Sequence, residues 1–407
     1  MSETTQTDQT QNGAQTAIKV VGVGGGGCNA VMRMIDAGVQ NIDYVIANTD
    51  ATDLTKVGGS RVVKVSLSDK DGRGLGAGAD PKVGAKAALD HQADIEDALR
   101  GADMVFVVCG EGGGTGTGAS PLVAHCAREQ GSLTIGVVTR PFDFEGSKRM
   151  TTALNGIVDL RKEVDALIVI PNDKLSDAGA DLPMRESLAL ADQAIINGVQ
   201  GVSQLFTNNA YIHVDFSDVK TILKGAGTVL FGVGTAKGED RAVKAAELAI
   251  TSPLMEESIE GAHGAIIVIA GPQDLKMSEY RNACKFIADA IDSDALIING
   301  FSTDDSFGDE VRVTVIAAGF DSEPEDKPLD ASSDQAEDDG DDDTGTIPVP
   351  PQVADPIDQA TEEDSTTVDA PSPVSRPLDD ETAERDVVSF DEENGRGKVP
   401  APFSFDF

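Results

Sequence analysis

Tryptophan is absent from this chain and tyrosine occurs only three times, so its cores must be built from Val, Ile, Leu and Ala. Four cysteines (Cys28, Cys109, Cys126, Cys284) show no paired spacing, which excludes a disulfide framework and fits the reduced thiols of a cytoplasm. Four scattered histidines form no ligand cluster, which argues against a structural zinc. No apolar run approaches the roughly 20 residues that a membrane helix needs; "GAIIVIAG" (264–271) is strand-sized. The first fifteen residues are polar and carry no apolar signal region, so the protein reads as soluble, cytoplasmic and not secreted.

Basic residues are scarce as well: 32 Lys and Arg stand against 70 Asp and Glu, a net charge of −38. Residues 321–407 hold 27 acidic and 5 basic side chains, and the rest of the chain is acidic too. Such a charge makes nucleic acid or an anionic lipid surface a poor direct partner. Self-repulsion on this scale strains a compact state at low salt, whereas at molar salt the screening length falls to roughly 3 Å. A salt-loving source with a salt-rich cytoplasm is therefore expected. The thermal midpoint of the purified protein should rise steeply between dilute buffer and molar KCl; a protein that stays folded and active in dilute buffer would contradict this.

The length of 407 residues suggests two or three domains, and 40% hydrophobic content is ample for real cores. Residues 1–16 read as a disordered leader. From Ile18, runs such as "AIKVVGVG", "YVIANTD", "RVVKVSL", "MVFVVCG", "LTIGVVT" and "ALIVIPND" alternate with helical stretches. Several have continuous apolar cores without alternation, as parallel strands covered on both faces do. The pattern predicts a doubly wound α/β domain over 17–184. Leu188, Ala191, Ile195, Val199, Val202 and Phe206 recur at steps of three and four, which predicts one long amphipathic helix over 185–209. Residues 210–320 read as a smaller α+β domain with an antiparallel or mixed sheet. From Asp321 the chain is acidic and holds eleven of the eighteen prolines, so 321–407 reads as a disordered linker. It ends in "VPAPFSFDF", a candidate docking motif.

The chemistry is concentrated in glycine. "GEGGGTGTG" (110–118) joins a buried strand to a helix expected to begin near Ala119. Glycines at 112–114 let successive backbone N–H groups line one concavity for anionic oxygens, and the helix adds its positive end. Thr115 and Thr117 add hydroxyls without bulk. A tight turn alone needs one or two glycines, not six. A second loop, "GVGGGGCN" (22–29), contains Gly22-x-Gly24-x-x-Gly27, which by itself suggests a nicotinamide-dependent oxidoreductase with Asp50 as the ribose acid. A third, "GRGLGAGADP" (72–81), adds an arginine as if to close over a terminal phosphate. Three phosphate-directed loops suit a nucleoside triphosphate, and the lysine-bearing P-loop pattern is absent.

These loops, with "NTD" (48–50), "RPFDFEGSKRM" (140–150), "IPND" (170–173), "VDFSDV" (214–219) and "GEDRAVKAAELAITSPL" (238–254), resemble FtsZ, the tubulin-like cell-division GTPase family, over roughly residues 17–320. The resemblance implies that Gly25, Gly26, Gly27, Cys28 and Asn29, with Gly113, Gly114, Thr115, Gly116 and Thr117, wrap the phosphates of GTP or GDP. It implies that Glu145 and Arg149 contact the ribose and phosphate region, that Asn172 lies near the sugar, and that Asp192 accepts from guanine N1 and N2. Mg2+ and K+ would be held mainly by phosphates and water. Simpler readings exist: Glu145 and Arg149 as a helix-surface pair, Asn172 as a turn residue, Asp192 as a solvated helix residue.

The resemblance further implies that Asp215 and Asp218 enter the nucleotide site of the next subunit and polarise the attacking water, so that the chain is its own head-to-tail partner. Otherwise Asp218 reads as a helix cap. His213 stands where the family usually has Asn, which leaves the hydrolysis rate and its pH dependence open. Leu188 replaces a frequent Phe at the base, and Cys28 replaces a small Gly or Asn. The tail lacks the family's usual terminal peptide, so a membrane-anchoring division adaptor docking near Phe403–Phe407 is expected without an identity. A mid-cell ring is the implied location. A paralogue that shapes the cell or regulates a ring, and a nucleotide switch that does not polymerise, carry the same motifs.

Overall fold

Seven strands of the computed structural model form one parallel sheet: β1 (Ile18–Val23), β2 (Asp43–Asn48), β3 (Val62–Ser66), β4 (Met104–Gly110), β5 (Leu133–Arg140), β6 (Ala166–Pro171) and β8 (Gly227–Thr228). The structure describes residues 16–320 except 59–61, 69–73, 179–182, 207–209, 213, 253, 256 and 304–306, so the leader, the tail and its terminal motif lie outside the described residues. The strand order is β3-β2-β1-β4-β5-β6-β8. Every residue of β4 but its terminal glycine is buried, and β-branched side chains on both faces of such strands leave helices to cover each side.

Two helix layers do so. Helices α1 (Gly24–Asp36) and α8 (Met184–Ser203) share a core with Val20, Ile46, Phe106 and Ile135 on one face. Helices α3 (Pro81–Asp90), α4 (Gln92–Leu99), α5 (Thr115–Glu129) and α6 (Ser147–Arg161) cover Val21, Val45, Val107 and Val138 on the other. The short α2 (Ala51–Lys56) and α7 (Asn172–Ala178) follow β2 and β6.

The second sheet has the order β7-β11-β10-β12-β9, from β7 (Ala210–Ile212), β9 (Leu230–Ala236), β10 (Gly264–Gly271), β11 (Leu296–Thr303) and β12 (Val311–Ala318). It is mixed: β10 and β11 are parallel, and the other pairings are antiparallel. Helices α10 (Arg241–Ile250) and α11 (Met277–Ala288) pack on one face. The opposite face shares Ile266, Val268 and Ile316 with the core of α8 and α9 (Phe216–Leu223).

The long helix expected to run to Asn208 keeps its α form only to Ser203 and tightens into a 3-10 turn at Gln204–Phe206. Ala191, Ile195, Val199 and Val202 are buried as the periodicity requires. Phe206 meets Phe216 edge-on at 5.7 Å and so ties the end of that turn to the start of α9.

Candidate functional site

The chain runs outward from β1 to β2 and β3, then returns to place β4 on the other side of β1. At such a reversal the connections leaving the two inner strands diverge and open a crevice at the strand ends. The two richest glycine loops leave those two strands. They touch: a side chain on Gly24, which has φ +70, would come within 2.7 Å of the Gly116 nitrogen, and one on Gly26 within 3.2 Å of the Gly110 nitrogen. Helices α1 and α5 therefore start side by side, with unpaired N–H groups and positive ends at one place.

Helix α5 starts at Thr115, four residues before the expected Ala119. The reason is packing. A side chain on Gly118 would collide with the Pro81 carbonyl, and one on Gly116 would lie 2.7 Å from the Gly110 carbonyl. Glycine costs a helix about 1 kcal/mol relative to alanine, and here it lets α3 and β4 approach α5 closely. The six glycines thus divide their tasks. Gly113 alone among 112–114 faces open space, while Gly112 lies against Arg149 and Gly114 against Ala77 and Asp80.

The third loop joins them. Ala51 N–H donates to the Gly74 carbonyl (3.1 Å) and Gly76 N–H to the Thr49 carbonyl (3.3 Å). The Thr49 and Thr115 hydroxyls share a hydrogen bond of 2.6 Å, and Thr117 Oγ1 accepts from Gly112 N–H at 2.8 Å. Both threonine hydroxyls are thus engaged within the loops. Arg73 lies outside the described residues. Asp50 accepts from Thr52 N–H at 2.8 Å and so caps α2, which occupies the carboxylate that a dinucleotide reading would assign to ribose. Asn48 and Thr49 were given no separate role by the sequence, yet they link the β2 turn to α1 and α5: Asn48 Nδ2 donates to Asp53 (3.3 Å) and to Cys28 Sγ (3.8 Å).

The remaining candidates surround this crevice. Cys28 is buried, which pushes its thiol up to about 12, so only its backbone is available to an anion; Asn29 is exposed. Arg149 pairs with Glu145 at 3.0 Å, and Glu145 Oε1 also accepts from Phe142 N–H at 2.9 Å. Asn172, at the start of α7, is buried with its Oδ1 lacking any hydrogen-bond partner among the described residues, which leaves one acceptor unsatisfied. Asp192 pairs with Arg33 of α1 at 2.8 Å. Burial raises its carboxyl above the ordinary range, and Arg33 opposes that shift. The side chain of Leu188 is outside the described residues.

Glu111, at the entrance to the loop, is 2% exposed. Burial pushes its carboxyl up to about 7, with Asp159 adding to the rise and hydrogen bonds from Cys109 and Thr117 opposing it. An unfolded glutamate titrates near 4.5, so this group favours the folded state at low pH, and its contribution is lost as pH rises from about 4.5 through about 7. Sequence reasoning passed over Glu111, although an acid inside an anion-binding glycine run is a local conflict that marks it.

Asp215 and Asp218 sit elsewhere. Both are exposed, Asp215 at the N-cap of α9 and Asp218 in its first turn. Asp215 makes no side-chain capping bond, and no hydrogen bond or ion pair engages either carboxylate among the described residues. Helix α8 leaves the edge where the strands end and runs 20 residues, about 30 Å, past strands of about 20 Å. After α9, Gly227 N–H donates to the Asp165 carbonyl, and β8 pairs with Ala166 and Leu167, the first residues of β6. The segment carrying the acids is therefore held at the edge where the strands begin, opposite the glycine loops. Asp218 lines a groove of 340 Å³ with Val214, Thr221 and Leu296–Asn299. Exposed apolar side chains stand at both edges: Leu75 and Phe144 near the loops, Ile212 and Leu296 near the acids. His213 lies outside the described residues.

Comparison with known proteins gives a consistent picture. Residues 17–180 match the GTPase domain of the tubulin/FtsZ family, and residues 227–321 match the C-terminal domain of the FtsZ family. An FtsZ dimer from M. jannaschii is 39% identical, with a TM-score of 0.72 over 75% of this chain and 88% of that one. CetZ2 from Haloferax volcanii, solved as a GTPγS-bound protofilament, is 22% identical over 74% of this chain and 92% of its own, with a TM-score of 0.63. CetZ1 from the same organism, a GDP-bound monomer, is 23% identical over 75% and 94%, with a TM-score of 0.64. The two CetZ structures share the fold.

Proposed function

This chain belongs to the tubulin/FtsZ family of GTPases, and on that premise we propose that it assembles head to tail into filaments and hydrolyses GTP where two subunits meet, in the service of cell division. The observation that carries this reading is the placement of the glycine loops and of Asp215 and Asp218 at opposite edges of one molecule. In this proposal the backbones of Gly25, Gly26, Gly27, Cys28 and Asn29 and residues Gly113, Gly114, Thr115, Gly116 and Thr117 hold the phosphates. Arg149, kept in place by Glu145, faces the phosphate and ribose, and Asn172 Oδ1 accepts from the sugar. Asp192, paired with Arg33, accepts from guanine N1 and N2, where adenine offers no matching pair of donors. Mg2+ and K+ are held mainly by phosphates and water; among the described residues no group of three or more His, Cys, Asp or Glu could hold a metal.

Neither edge completes the site alone. The acids of one subunit polarise water against the γ-phosphate bound by the next, and a heterologous contact of this kind propagates into an open filament. The M. jannaschii FtsZ dimer supports self-association. The 39% identity to FtsZ, with the match to the FtsZ C-terminal domain, supports the reading of division and a mid-cell ring. No helix among the described residues is long and apolar enough to cross a membrane, and recruitment is assigned to an adaptor that reads Phe403–Phe407.

Light scattering after GTP addition in molar KCl tests assembly directly. A rise with GTP that decays as GTP is consumed is expected. No rise across the micromolar range would leave a nucleotide switch instead, and heat protection by NADH rather than GTP would revive the oxidoreductase reading.

A further inference from the structure

Glu111 places a carboxyl two residues from Gly113, inside a loop whose other features favour negative ligands. Its surroundings come from four elements. Cys109 of β4 donates its thiol to Oε1 at 3.2 Å, and that thiol stays neutral because burial holds it well above 9. The Thr139 carbonyl of β5 accepts from Glu111 N–H at 2.9 Å. The hydroxyl oxygen of Thr117 of α5 accepts from Gly112 N–H. From α6, Gly156 leaves space that a side chain would take from both Glu111 Oε2 and Thr117, while Asp159 adds a like charge. Arg149, whose stem lies against Gly112, directs its guanidinium to Glu145. Glu111 Oε2 has no hydrogen-bond partner among the described residues.

We infer that the proton of Glu111 is coupled to nucleotide binding. The carboxyl is buried, with Oε2 unpartnered among the described residues, two residues from the open Gly113; ionised, it opposes incoming negative charge, and neutral, it does not. Binding therefore draws one proton from solvent onto the carboxylate wherever it is ionised in the free protein. The inference rests on the GTP-binding reading above and adds a regulation of that site by pH.

The test is calorimetric titration of GDP, which avoids turnover, into the full chain in molar KCl from pH 6 to 8.5, using two buffers of different protonation heat. The nucleotide's own phosphate titrates in this window, so the quantity that matters is the difference between the parent and Glu111→Gln. The parent should take up about half a proton more than the variant near pH 7, and should lose about tenfold more affinity across the range, or about 1.4 kcal/mol. Glu111→Met, equally long and uncharged, should behave like Glu111→Gln. Thermal melts check folding: Glu111→Gln should raise the midpoint at pH 8 and leave it unchanged at pH 4.5. Equal proton uptake in parent and variants, or a parent that takes up none, overturns the coupling. Absence of GDP binding by the parent at every pH would instead overturn the nucleotide reading.

Discussion

Asp215→Ala and Asp218→Ala should each lower GTP turnover by about 10²–10⁴-fold, the range that a positioned general base supplies, while GTP affinity stays at the parental level. Both side chains are exposed, and no capping bond depends on Asp215, so neither substitution removes a stabilising contact among the described residues. The unfolding midpoint should shift by the equivalent of at most about 0.5 kcal/mol. In the proposed site the two effects separate because the phosphate-binding loops and the acids lie at opposite edges of the subunit. Mixing sharpens the point: a variant lacking the acids still offers an intact nucleotide edge, so adding Asp215→Ala to a variant crippled at the glycine loop should restore part of the turnover. Parental rates in the single variants, measured as phosphate release, would remove these acids from the chemistry.

The second large effect is a contrast within one loop. Gly118→Ala drives a methyl group into the Pro81 carbonyl of α3 and within 2.7 Å of the Ala85 nitrogen. Backbone atoms cannot rotate away, so α3 and α5 must separate, at a cost of about 3 kcal/mol or more. The melting temperature should fall by on the order of 10 °C. Gly113→Ala meets nothing within 4 Å, so stability should hold while GTP affinity drops at least about tenfold, because the added methyl would occupy the concavity proposed to receive the phosphate. Thermal melts with and without GDP read both outcomes. Equal destabilisation by the two substitutions would show that the glycines serve packing alone.

That contrast also marks what the sequence conveyed. The buried strands were legible because a parallel sheet covered on both faces demands continuous apolar runs, as in "MVFVVCG", and α8 because Ala191, Ile195, Val199 and Val202 keep helical spacing. The start of α5 was hidden: glycine signals a loop by its propensity, and only the packed structure shows that Gly116 and Gly118 sit in a helix to admit α3 and β4. Pairings between distant elements carry no local pattern at all. The Arg33–Asp192 ion pair, the Thr49–Thr115 hydrogen bond and the burial of Glu111 depend on which helices the sheet brings together. Asp215 and Asp218 are named from motif, and the resemblance implies their separation from the glycine loops; the strand order and the length of α8 give that separation its physical basis.

In the proposed mechanism a complete active site exists only between subunits. GTP turnover per subunit, measured in molar KCl over a hundredfold range of protein concentration, tests it most directly. The rate per subunit should be close to zero below a threshold concentration and should climb to a plateau above it. A rate per subunit that is the same at every concentration would contradict the account.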